Sequence, residues 1–212
     1  MKFEDLKFMS LGGNCAALAL LGKERIRGPV DNLAGVKNKL CFESLLNDTF
    51  LKDFEKTPII SDRVPNFEKD SDKQYTYEHY AVCHNNPTTE KFKLEIEKRY
   101  NNFKDFYAQI SEPDHYFIYC LNTEISKASH TVQNSKLLKA EIDFLKKKNI
   151  LQKVIFVETK TDNKKSNWNF WAEDLAKFKI PLHVRIYDLD VWNPEKTQAQ
   201  FKEKICELLG TD

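Results

Sequence analysis

The residues best suited to chemistry are Gly12-Gly13-Asn14-Cys15, with Asp31 and His84 further along the chain. Cysteine attacks as its thiolate. The first turn of a helix favours that form, because unpaired N–H groups and the positive end of the helix dipole can lower a thiol pKa from about 8.5 by several units. The sequence predicts such a place. Lys7 to Leu11 reads as a short apolar strand, Gly12 and Gly13 permit a tight reversal, Asn14 is a good N-cap, and Cys15 opens the apolar run Ala16 to Leu21. A thiolate nucleophile also needs a base, a group that orients the base, and donors for the oxyanion. His84, in the polar turn Cys83-His84-Asn85-Asn86-Pro87, is the candidate base. Asp31 is the candidate orienting group, and the backbone N–H groups of Gly13 to Cys15 are the candidate oxyanion donors. The chemistry would be attack on a carbonyl, ending in hydrolysis or acyl transfer. The competing structural reading makes Cys15 a small apolar residue at the buried start of a core helix, and His84 a capping or surface histidine.

Other chemistries find less in the sequence. His79, Cys83, His84 and Cys41 match no standard zinc spacing, and there is no Cys-x-x-Cys pair. Gly12, Gly13 and Gly22 do not make the dinucleotide fingerprint, and no lysine stands in P-loop position. No cofactor is therefore expected. Asp188-Leu189-Asp190 resembles the acidic pair that holds a divalent metal in nucleotide-sugar transferases, which gives a metal-dependent sugar or nucleotide enzyme as one alternative. A non-catalytic module that holds a small molecule or peptide is the other. Trp168, Phe170 and Trp171 read as core and rim.

These residues must be positioned by an α/β scaffold. After the first helix, the turn at Gly28-Pro29 leads to predicted helices over 36–46 and 50–54. The stretch 57–87 reads as an irregular insert, with a short strand pair within 75–82. Thr88 is expected to cap a long helix with Phe92, Ile96, Tyr100, Phe103 and Ile110 on one face. Strands at 116–121, 153–158 and 182–189 then alternate with helices at 135–148, 168–178 and from Pro194. Continuous apolar strands alternating with helices predict a mostly parallel sheet of about four to five strands covered on both faces, a Rossmann-like three-layer sandwich in one domain over 1–212. Its carboxyl-end rim would gather the clusters at 12–15, 122–124, 158–160 and 188–190.

Composition narrows the partners. With 33 Lys+Arg against 32 Asp+Glu, the formal charge of +1 gives no electrostatic case for nucleic acid or an anionic membrane. No apolar run approaches a membrane span, the N-terminus does not read as a signal peptide, and the five scattered cysteines read as reduced, so a cytoplasmic protein is expected. The oligomeric state has no signature in the sequence.

Ser10-Leu11-Gly12-Gly13-Asn14-Cys15, then Ile26-Arg27, then Gly28-Pro29-Val30-Asp31-Asn32, resembles the opening of a bacterial family of papain-like cysteine peptidases. The family opens with Ser-Leu-Gly-x-Asn-Cys, a helix, an arginine and Pro-Phe-Asp-Trp; Val30 and Asn32 stand where it has Phe and Trp. A downstream histidine before a long helix with an arginine is similar to His84 and Arg99, with Asn85 where the family usually has Asp. The resemblance implies Cys15 as nucleophile, His84 as base and Asp31 as the third polar member. It brings Ser10 and Arg27, with Gly12, Gly13 and Asn14, into the candidate binding set.

Overall fold

Continuous apolar runs such as Val154 to Val157 suit strands buried on both faces, and four strands form one parallel sheet in the computed structural model. The structure describes residues 1–11, 20–22, 26, 28–29, 33–36, 41–47, 49–62, 73–77, 80–83, 86–122, 128–159, 175–187 and 194–211. Strands β1 (Lys7–Ser10), β6 (His115–Asn122), β7 (Val154–Thr159) and β8 (His183–Ile186) lie side by side in that order. Each pairs with its neighbour in parallel, from Ser10 opposite Ile118 to Thr159 opposite Ile186.

Alternation along each strand builds two cores. Phe117 and Leu121 of β6, with Val154 and Phe156 of β7, face one layer; Ile118, Cys120, Ile155 and Val157 face the other. The first layer holds α3 (Glu90–Ala108) and α4 (Ala128–Lys147), which contribute Phe92, Ile96, Tyr100, Phe103, Leu138, Ile142 and Leu145. The second holds α5 (Pro194–Leu209), through Phe201 and Ile205, together with Leu20. This is the predicted three-layer arrangement. Helix α3 starts where Thr89, in extended conformation, accepts a hydrogen bond from the Phe92 N–H. The cap falls on Thr89 rather than Thr88. The apolar spacing of α3 then sets Phe103 and Phe106 against Phe117, with ring centroids 5.8 and 5.1 Å away.

The strand pair expected within 75–82 is present, and the stretch read as an irregular insert holds a further strand. β2 (Leu33–Val36), β5 (Tyr80–Cys83), β4 (Lys73–Thr76) and β3 (Ile59–Asp62) form an antiparallel sheet in that order. Its Tyr75, Tyr77 and Val82 join the α3 core, so the two sheets share one apolar interior. Strand β2 overturns the expected helical start at Val36. The Val36–Leu40–Leu45 spacing suits a helix, but Val36 pairs with Tyr80, and the helix α1 (Cys41–Leu46) begins later. The short α2 (Phe50–Asp53) lies where expected. Helix α4 starts at Ala128, before the expected 135. None of the helices, among the described residues, is long and apolar enough to cross a membrane.

Candidate functional site

The chain changes direction at β1. Lys7 and Leu11 direct their N–H groups to the β6 edge, donating to Asp114 O and Ile118 O at 2.8 Å each. Phe8 faces the other edge, because backbone groups alternate sides along a strand. There its carbonyl accepts from Ile26 N at 3.2 Å, and Met9 bridges Ile26 in parallel. The chain thus travels from β1 to its outer edge by way of Leu20, in the α5 layer. From β6 it leaves the other way, to β7, by way of α4 in the opposite layer. Connections that leave in opposite directions over opposite faces make β1 and β6 a topological switch point. Ligands of such sheets bind in the crevice beyond the carboxyl ends of those strands.

Ser10 ends β1 fully buried, and Leu11 beside it is buried too. Gly12, Gly13, Asn14, Cys15, Arg27, Asp31 and His84 lie outside the described residues, as do His79, Asp188, Asp190 and the side chains of Cys41 and Cys83. Their flanks are described. Gly28, which follows Arg27, packs on the end of β1 so closely that a Cβ there would stand 2.3 Å from Ser10 O and 3.3 Å from Met9 Cγ. Leu33, after Asp31, pairs with Val82 of β5, and β5 ends at Cys83, before His84. The chain is fixed again at Asn86. Its Oδ1 accepts from Thr88 N (3.1 Å) and Thr88 Oγ1 (2.7 Å), and its carbonyl accepts from Thr89 Oγ1 (2.9 Å). His84 therefore belongs to a two-residue span between a strand end and a helix-capping turn.

Behind the same rim, the structure assembles a polar network that the sequence reading did not join. Glu158, fully buried on β7, accepts through Oε2 from Arg185 Nε at 2.7 Å and is 3.0 Å from His183 Nε2. Its Oε1 is buried and, among the described residues, has no hydrogen-bond partner. The carboxylate at its side holds the Arg185 guanidinium pKa above its ordinary value. The signal was present: His183 and Arg185 alternate with the buried Val184 and Ile186, so they share the face that Glu158 occupies on the adjacent strand.

A second buried polar contact fixes the scaffold. Glu141 of α4 is almost fully buried and accepts at 2.8 Å from the backbone N–H of Phe42, in the first turn of α1. Arg99 of α3 is buried as well, its Nε donating to Glu95 Oε1 at 2.8 Å. Set against protein-family models, curated proteins and solved structures, the chain finds no match. Among the described residues, no group of three or more His, Cys, Asp and Glu is arranged to hold a metal ion.

Proposed function

We propose that this protein is a cysteine-dependent hydrolase or acyl transferase of peptidase-like chemistry, with Cys15 as nucleophile, His84 as base and Asp31 as the group that orients the imidazole. The observation that carries the reading is the switch point: the Gly12-Gly13-Asn14-Cys15 segment follows directly on the strand whose carboxyl end borders the crevice. The contact of Gly28 with Ser10 supports it, because it ties the segment that leads to Asp31 to the end of the strand that leads to Cys15. The β2–β5 ladder supports it too, since Asp31 and His84 flank its last described pair, Leu33 and Val82.

In this mechanism the Cys15 thiolate attacks the substrate carbonyl, and a sulfur–carbon bond forms while the carbonyl electrons move to oxygen. The turn amides from Gly13 to Cys15 stabilise that oxyanion, and Ser10 and Arg27, with Gly12, help to shape and bind at the same rim. Imidazolium of His84 gives its proton to the leaving group as the scissile bond breaks, which leaves a thioester. Water, or another acyl acceptor, then loses a proton to His84 and attacks the thioester, releasing product and thiolate.

The test is the pH dependence of alkylation at each of the five cysteines, read by peptide mapping. Cys15 is expected to titrate well below the free-thiol value of about 8.5 and to move back toward it in His84→Ala. A Cys15 no more reactive than Cys120 or Cys206 would make it a core residue and remove the catalytic reading.

A further inference from the structure

We propose that Gly28 is a positioning residue of the thiol site: it lets the segment before Asp31 seat on the backbone of Ser10, and so sets where that segment stands relative to the Cys15 turn. The inference rests on the cysteine-hydrolase reading and adds to it a residue that touches neither substrate nor thiol. Three described contacts carry it. Ile26 N donates to Phe8 O at 3.2 Å, Met9 and Ile26 bridge in parallel, and Gly28 lies against Ser10. The φ of Gly28 is not in the left-handed region, so its backbone angles do not demand glycine; the space does. A Cβ at 2.3 Å from a carbonyl oxygen lies far inside contact distance, and that oxygen belongs to a strand hydrogen-bonded into the sheet, so the loop must move instead. Chain reach makes the displacement matter. Cys15 is four residues beyond Leu11 and Asp31 three beyond Gly28, spans of at most about 14 and 11 Å. Both spans start at the Gly28–Ser10 contact, so a shift of Gly28 changes where the Asp31 span starts relative to the Cys15 span.

Gly28→Ala is expected to fold, to titrate Cys15 close to the free-thiol value, and to slow its alkylation at pH 7 by about tenfold, as the thiolate fraction falls. Ile205→Val, in the core beneath α5, controls for lost stability and should keep the wild-type pH profile. Ile26→Pro removes the donor to Phe8 O and should reproduce the Gly28→Ala profile by a route free of the Cβ clash. Wild-type Cys15 titrating ordinarily overturns the hydrolase reading itself. Wild-type Cys15 activated, with Gly28→Ala and Ile26→Pro unchanged in profile, overturns only the role of Gly28. If neither variant folds, the wild-type protein decides by hydrogen exchange and alkylation through a urea series below unfolding. Loss of Cys15 acceleration together with Ile26 amide protection supports the role, and acceleration that outlasts the protection overturns it.

Discussion

Leu33 and Val82 face each other across the last described pair of the antiparallel β2–β5 ladder. Asp31 precedes Leu33 by two residues, and His84 follows Val82 by two. Paired Cα atoms stand roughly 5 Å apart, and two residues extend at most about 7 Å, so the proposed carboxylate and imidazole are tethered to a common short rung. If they work as one unit, their effects on Cys15 should not add. Asp31→Asn and His84→Ala are each expected to raise the Cys15 titration. The double variant should resemble His84→Ala alone, with an interaction term of at least about 0.5 kcal/mol. Strictly additive shifts would separate Asp31 from the base.

Glu141 reaches across the interior to the first turn of α1, an acceptor for an N–H group that the helix itself leaves unpaired. Removing it strands a buried donor. Glu141→Ala should cost about 2–4 kcal/mol, combining the lost charge-assisted hydrogen bond with the cavity, whereas Glu141→Gln, which keeps a carbonyl acceptor, should cost about half as much. Urea unfolding checks this: the midpoint should fall with the slope unchanged. Equal midpoints for both variants would show that burial of the side chain, not the hydrogen bond, holds α1.

Tyr77 gives an alkaline signature. Its hydroxyl is pushed up to about 12, first by burial and then by the nearby charge of Asp53. An unfolded tyrosine loses its proton near 10. The folded protein therefore holds this proton where the unfolded chain has released it. The contribution is complete below pH 10 and is lost as pH rises from there through 12, by roughly 1–3 kcal/mol. Stability measured from pH 9 to 11.5 should decline less steeply in Tyr77→Phe than in the wild type. Parallel curves would assign the decline to other groups.

The parallel sheet was legible because β6 and β7 are largely apolar runs with helices between, and Phe103, Phe106 and Phe117 carry their periods in sequence. Strand β3 was not, for a physical reason: Ile59 and Ile60 are 73% and 55% exposed, so neither face of this strand imposes the alternation that a half-buried strand would show. Strand β2 was hidden by apolar spacing that fits a helix until its pairing with β5 is seen. At the rim, the turn read around Cys15 lies outside the described residues. The bridge of Ile26 to Met9 and the seat of Gly28 on Ser10 depend on a crossover, which residue spacing does not encode.

The Glu158 network makes an asymmetric prediction. Glu158 is fully buried while Arg185 is 39% exposed, so truncating the arginine opens little cavity yet leaves a buried carboxylate whose remaining ion-pair partner among the described residues is His183. Removing one partner of such a pair leaves an uncompensated charge, whereas replacing both with apolar side chains of similar volume is often neutral. Arg185→Ala is therefore expected to cost about 2–4 kcal/mol in urea unfolding. Glu158→Met/Arg185→Met should lie within about 1 kcal/mol of the wild type, because it also removes the buried Oε1, which has no partner among the described residues. A double variant as unstable as Arg185→Ala would show that the carboxylate is held by more than its ion pair, and would turn attention to His183 as the group it serves.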